Sequence, residues 1–413
     1  MRTPTLALLA AALLTSTAPA LALTPTQIEL GSAKADTGVK AVTRRLASQR
    51  FGGRDNNTPE SDKTQAYLIR KLRRLGQGLN PAGVRLDAYK QPFVQSGQIG
   101  TNLLAVIPGR ELPNEYVIIG AHYDHLDTRS SGSGNCSTGN APGGAVCPGA
   151  TDNAAGVAAV LAIGRAIKKL PEPPRRSIVL ALWDAEEDGL LGSMYYVANP
   201  LVPLAATKGY INFDILGANL MPSVANWTLA VSSETGGSAF GAFVDAAATA
   251  DATVNLRRLS FIFGQLRSDY ANFVGKNVPT VFFTDATNGC YHSTGDTIDI
   301  VNMDKLEAQS RIAFRLGVTL AESPTNLTFS APPSGLATYN DAVSLNDVFS
   351  NAIADLPLFT PADQVIVQQT QLDIAAIVAD GPANFDSDDV NTLLNAALST
   401  LAAIDRVGCL PLP

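Results

Sequence analysis

Histidine, cysteine and charge are all scarce in this 413-residue sequence: it has three His and four Cys, and Asp, Glu, Lys and Arg together make up 16%. With 46% hydrophobic residues beside so little charge, a disordered chain is excluded. Thirty basic residues stand against 37 acidic ones, a net charge of -7, and nowhere do five or six like charges run together. A basic footprint for a phosphate backbone is therefore missing, and no nucleic-acid partner is expected. Long apolar runs are missing too. The one candidate, Leu6 to Leu14, falls short of the ~20 residues that span a bilayer. Arg2 precedes it and Ala20-Leu21-Ala22 follows, so residues 1–22 read as a secretory signal. The expectation is a secreted or periplasmic protein with no stable membrane insertion after cleavage near Ala22. No internal repeat is present.

An even number of cysteines suits an oxidising compartment, and four allow three pairings. The short polar separation of Cys136 and Cys147 favours that pair and leaves Cys290 with Cys409; neither spacing resembles a structural zinc knuckle.

What the sequence does contain is an alternation of short apolar runs with helix-like stretches. Leu103–Ile107, Tyr116–Ala121, Ser177–Trp183, Gly209–Phe213, Trp227–Val231 and Val278–Phe283 read as strands. Helical periodicity marks Val39–Leu46, Asp62–Leu75, Ala154–Lys169, Leu190–Ala198, Ala239–Ala250 and Lys305–Leu320. That alternation predicts an α/β fold with a largely parallel sheet covered on both faces. Asp127–Gly149 reads as a surface loop. After Glu322, Pro-rich stretches predict a boundary, followed by helices over Leu345–Leu356, Val365–Val378 and Val390–Ile404. The expected division is 1–22 signal, 23–322 catalytic domain and 323–413 helical extension.

All three histidines lie next to the ends of these strands. His122 and His125 follow Val117-Ile118-Ile119, and His292 comes shortly after Val281-Phe282-Phe283. Asp184, Glu186 and Glu187 follow Ile178–Trp183, and Asp214 ends Tyr210–Phe213. Asp152 precedes a helix and can serve as its N-cap. In an open α/β sheet the carboxyl ends of strands are where sites form, and this mixture of His and carboxylate suits a metal, with zinc leading.

These residues carry a resemblance. His122-Tyr123-Asp124, Thr151-Asp152-Asn153, Asp184-Ala185-Glu186-Glu187, Asn212-Phe213-Asp214 and Tyr291-His292-Ser293, in that order, resemble the motifs of the M28 zinc aminopeptidases over roughly residues 30–322. The resemblance implies a phosphorylase/hydrolase-like three-layer sandwich with a mixed, mostly parallel sheet, here with a C-terminal, mainly helical extension. It implies two Zn2+ per chain: His122 and Asp214 hold one, Glu187 and His292 the other, and Asp152 bridges them. Asp124 then orients His122, Glu186 is the general base for metal-activated water, and Tyr291 hydrogen-bonds the developing oxyanion. The substrates implied are peptides with a free N-terminus.

Arg267-Ser268-Asp269-Tyr270 resembles a further family motif that commonly ends in His, so Tyr270 departs from it. His125 receives no ligand role, and is either a neighbour of the site or a loop residue. Three other readings stay open: a glutaminyl cyclase, a carboxypeptidase reading a terminal carboxylate through a cation such as Arg267, and a non-catalytic binding protein on the same fold.

Overall fold

Residues Arg176–Trp183 are buried without exception, and the rest of the molecule is arranged around them. Alternate side chains of this strand serve opposite faces. Ile178, Leu180 and Leu182 join one apolar core, while Val179, Ala181 and Trp183 join another with Tyr196 and Phe273. A strand covered on both faces has no polar side to present, which is why it reads as a continuous apolar run.

The computed structural model describes residues 22–81, 85–127, 136–137, 146–331, 336–410 and 412. The expected signal, except Ala22, and most of the 127–149 loop lie outside these residues. Among the described residues no helix is long and apolar enough to cross a membrane.

Among the described residues nine strands form one sheet: β1 (Gln77–Gly78), β2 (Lys90–Gln95), β3 (Gln98–Ile107), β4 (Leu112–His122), β5 (Arg176–Trp183), β6 (Thr207–Phe213), β7 (Trp227–Val231), β8 (Asn255–Leu259) and β9 (Thr280–Thr284). Their order is β1-β3-β5-β4-β6-β9-β7-β8, with β2 also on β3. The centre, β5-β4-β6-β9, is parallel, and β3 and β7 join it antiparallel. The sheet is thus mixed, with a parallel heart.

The described residues also form eleven α-helices: α1 (Pro25–Ser32), α2 (Val39–Leu46), α3 (Pro59–Leu72), α4 (Ala155–Ile167), α5 (Leu191–Ala198), α6 (Gly237–Thr249), α7 (Tyr270–Val274), α8 (Met303–Glu322), α9 (Tyr339–Ala352), α10 (Pro361–Asp380) and α11 (Ser387–Val407). Helices α4 and α8 cover one face, and α5 and α7 the other. The last three pack beyond β7, where Leu345, Ile374 and Leu393 share a core with Val231, Leu259 and Phe282.

Local chemistry moved several boundaries. Helix α3 starts at Pro59 rather than Asp62, because the Thr58 hydroxyl accepts the Ser61 amide and proline suits the first helical position. Helix α9 starts at Tyr339 rather than Leu345, where the Asp341 carboxylate accepts the Thr338 amide at 2.7 Å and the Thr338 hydroxyl at 2.9 Å. Both expected disulfides are formed, Cys136–Cys147 and Cys290–Cys409.

Candidate metal centre

His122 is the last residue of β4, and Asp214 directly follows β6, its parallel neighbour. The Asp184–Glu187 turn leaves β5 on the other side of β4. Side chains at these carboxyl ends therefore converge above the middle of the sheet. Three residues beside or within the cluster, Ala185, Ile215 and His292, have φ of 53°, 58° and 51°. L-residues rarely adopt that left-handed region, and such strain is typically held where geometry serves a site.

Asp152 is not the N-cap it resembles in sequence. It sits in the irregular turn Ala150–Ala154, ahead of α4, and its peptide bond to Asn153 is cis. Asn153 does the capping, its side-chain oxygen accepting the Gly156 amide at 3.1 Å. Asp152 thereby turns its carboxylate to the histidines. Its Oδ1 lies 3.2 Å from His122 Nε2 and its Oδ2 3.3 Å from His292 Nε2. Asp214 Oδ1 lies 3.2 Å from the same His122 nitrogen, and Glu187 Oε2 lies 2.9 Å from the His292 nitrogen.

Several features fit this donor set to cations. His122 Nδ1 donates to the main-chain carbonyl of Asp124 at 3.2 Å, which leaves the Nε2 lone pair facing Asp152 and Asp214. His292 Nε2 is buried near two carboxylates without a properly directed hydrogen bond to either. Among the described residues Asp152 and Asp214 pair with histidines and with no lysine or arginine, and a packed set of buried carboxylates of this kind suits a cation. His122 with Asp152 and Asp214, and His125 with Asp152 and Glu187, each bring three donor atoms close enough to share one ion.

The neighbouring glutamates differ in environment. Burial, reinforced by Asp214 and Glu187, pushes the Glu186 carboxyl well above its usual range. For Glu187, burial and Asp152 push upward, but His292 and His125 outweigh them and hold it at about 2. Carboxylates pushed apart in this way are suited to different tasks, one exchanging a proton and one staying ionised.

Asp124 touches His122 mainly through its main chain. Its carboxylate oxygen Oδ1 is 3.6 Å from His122 Nδ1, while Oδ2 accepts the Glu187 amide at 3.2 Å. Tyr291 stacks on His292 with ring centroids 3.7 Å apart and lines the cleft with Asp152, Glu186 and Asp214. Arg267 Nη2 approaches the Tyr291 hydroxyl at 3.3 Å. Tyr270 takes no part: it stacks on Phe282, and its hydroxyl donates to the Phe261 carbonyl and accepts the Leu266 amide.

Two contributors, Asp296 and Arg54, carried no signal in the sequence, and of the two places left open for His125 it takes the one beside the site. His125 is fully buried with Nδ1 2.7 Å from Glu187 Oε1. Asp296 accepts the Thr151 amide and hydroxyl on Oδ1 and the Asp152 amide on Oδ2. Arg54, fully buried, donates to the carbonyls of Leu46, Tyr123, Pro148 and Gly149.

The leupeptin-inactivating enzyme 1 of Streptomyces exfoliatus is 32% identical over 209 residues, 50% of this chain and 41% of that enzyme. The chain thus spans less than half the length of this curated relative. The Legionella pneumophila LapA aminopeptidase shares the fold with a TM-score of 0.57 at 18% identity, over 75% of this chain and 79% of LapA. A Bacteroides thetaiotaomicron glutaminyl cyclase shares it too, with a TM-score of 0.51 at 20% identity, over 70% of this chain and 97% of the cyclase. Likeness of fold alone therefore does not separate hydrolysis from cyclisation. Residues 102–316, slightly more than half of the chain and the stretch that carries every candidate ligand, match the pattern of peptidase family M28, and the chain belongs to that family.

Proposed function

We propose that this protein is an exported aminopeptidase, with residues 23–322 as its catalytic unit, that hydrolyses the first peptide bond of substrates bearing a free α-amine. The observation that carries the reading is the division of Asp152, one oxygen beside His122 and the other beside His292. A pair of divalent cations, zinc by its preference for nitrogen and carboxylate donors, would be held by His122 and Asp214 on one side and Glu187 and His292 on the other with Asp152 between, and would supply Lewis acidity and acidify water.

The chain's own groups account for the rest. Glu186, buried at the cleft, takes a proton from the attacking water and returns it to the departing amine. The Tyr291 hydroxyl donates to the carbonyl oxygen as negative charge develops there. The acidic recess around Glu186 and Asp214 suits an α-ammonium group, whereas an N-acetylated substrate would bring no charge to it. Asp124 positions His122 through its carbonyl and the Glu187 amide through its carboxylate.

The experiment is a panel of aminoacyl arylamides beside their N-acetylated counterparts, with zinc counted per chain. Cleavage of the free-amine forms alone, with two zincs bound, is the expected result. Cleavage of acylated forms, or a single zinc with pyroglutamate formed from glutaminyl substrates, overturns it. Hydrolysis confined to the C-terminus of peptides would instead give Arg267 the role of carboxylate reader.

A further inference from the structure

We infer that the C-terminal helices are a specificity element: they close an apolar pocket that opens from the reaction cleft and takes a bulky apolar side chain on the first residue of the substrate. The inference rests on the aminopeptidase reading for its substrate and on the cavity for its chemistry.

The cleft bounded by Asp152, Glu186, Asp214 and Tyr291 does not end at the sheet. A second cavity of about 110 Å3 adjoins it, and Leu229, Phe263 and Leu401 are among the residues lining both. Leu229 belongs to β7 and Leu401 to α11, so the throat between the two spaces lies between the catalytic sheet and the C-terminal helices. Beyond the throat, Val348 and Phe349 of α9 and Ile404 of α11 form the far wall. Its lining is apolar except at Gln265, Asp285 and Thr400, which suits an apolar side chain rather than a polar one. An amine held at the acidic recess and a side chain passing the throat can belong to one residue.

The lining also says which side chains are refused. Its one charged residue is Asp285, whose Oδ1 lies 3.2 Å from Lys305 Nζ and 2.8 Å from Gln309 Nε2. Lys305 already balances that charge and only the buried Oδ2 lacks a donor, so a lysine or arginine side chain would exchange its whole hydration for a single acceptor. An apolar side chain gains from leaving water.

The wall is fastened rather than loosely laid on. Cys290, one residue before Tyr291, is bonded to Cys409 just past α11. Beside it the chains pass so closely that a Cβ on Gly289 would fall 2.2 Å from the Gly408 carbonyl carbon. At the other end, Asp341 of α9 accepts both the amide and the hydroxyl of Ser260, at 2.6 and 2.7 Å. The end of α11 is thus tied to the loop that carries Tyr291 and His292, and α9 to the residue after β8.

The test uses the full, disulfide-bonded, zinc-loaded protein with alanyl, leucyl, phenylalanyl and lysyl arylamides. The wild type should prefer phenylalanyl and leucyl over alanyl and lysyl by about tenfold or more in kcat/KM. Leu401→Trp, which fills the throat, should lower the phenylalanyl-to-alanyl ratio by about tenfold, chiefly through KM, and Leu401→Ala should raise it. A merely structural effect would lower both substrates together and leave the ratio unchanged, and that outcome overturns the inference, as does a wild-type preference for lysyl. If no arylamide is cleaved, the aminopeptidase reading falls and calorimetry with phenylalaninol and alaninol decides the pocket separately. Tighter phenylalaninol binding that is lost in Leu401→Trp supports the pocket, and equal binding of the two amines removes it.

Discussion

His125 Nδ1 lies 2.7 Å from Glu187 Oε1, and the imidazole is packed edge-on against that of His292 with centroids 5.7 Å apart. The second histidine of the His-Tyr-Asp-His run thus steadies a carboxylate assigned to the metals. His125→Ala should weaken binding of the second zinc by about 10- to 100-fold, the usual effect of losing a partner behind a metal ligand. Competitive zinc titration would show this as one tight and one weakened site. Two sites of unchanged affinity would leave His125 as packing alone.

Glu186 is expected to act on protons and not on metal. Glu186→Gln should retain the zinc content of the wild type and lower kcat by about 10²–10⁴-fold with KM little changed. Metal analysis beside steady-state kinetics checks both halves, and loss of zinc would instead make Glu186 a ligand.

Asp296 holds the backbone on which Asp152 sits, through three hydrogen bonds of 2.9 to 3.0 Å. Asp296→Ala leaves two buried amides without an acceptor, at about 1–3 kcal/mol each, and frees the turn. The expected result is reduced affinity at both zinc sites, since Asp152 faces both, with Asp296→Asn retaining part of it. An effect confined to one site would contradict the shared role of Asp152.

Much of this architecture is legible in the sequence because fully covered strands cannot conceal their apolar character: Trp227–Val231 was marked out to the residue. The strand Asn255–Leu259 was not, because its Arg257 and Arg258 lie at the sheet edge and remain half-buried. Arg257 places its guanidinium 4.6 Å above the Trp227 ring and pairs with Asp347, so a polar segment pairs as well as an apolar one. The proposed ligands stood out as rare histidines and clustered acids at strand ends. Arg54 and Asp296 did not, because their partners are main-chain groups up to 95 and 145 residues away. Backbone acceptors and donors leave no motif. Asp152 misled for a related reason: an acid just before a helix looks alike whether it caps or turns away, and the neighbouring Asn153 decided the matter.

Arg54 ties the His122–Asp124 segment to the turn before Asp152 through four carbonyls at 2.7 to 3.0 Å. Burial lowers its pKa to about 10, so it still carries its charge at neutral pH. Arg54→Met should cost at least about 3 kcal/mol, since several buried carbonyls lose their donor at about 1–3 kcal/mol each. Arg54→Lys should recover only part, because an ammonium cannot reproduce the planar fork. Urea unfolding of the zinc-free proteins measures the difference without the contribution of metal binding.

Glu234 offers a pH test away from the metals. Burial raises its carboxyl from 4.5 to about 7, against the opposing hydrogen bond from the Phe261 amide. A raised acid pKa means that the folded protein keeps a proton which the unfolded chain releases between those values. The stabilising contribution is therefore complete below pH 4.5, erodes as pH rises, and is gone above pH 7. Glu234→Gln keeps an acceptor for Phe261 and does not ionise. It should match the wild type near pH 4 and exceed it by about 2 kcal/mol at pH 8, with the gap opening between the two pKa values. Unfolding curves for both proteins across that range check the sign. A gap that narrows as pH rises would mean that Glu234 is held as a carboxylate, with the Phe261 amide outweighing its burial.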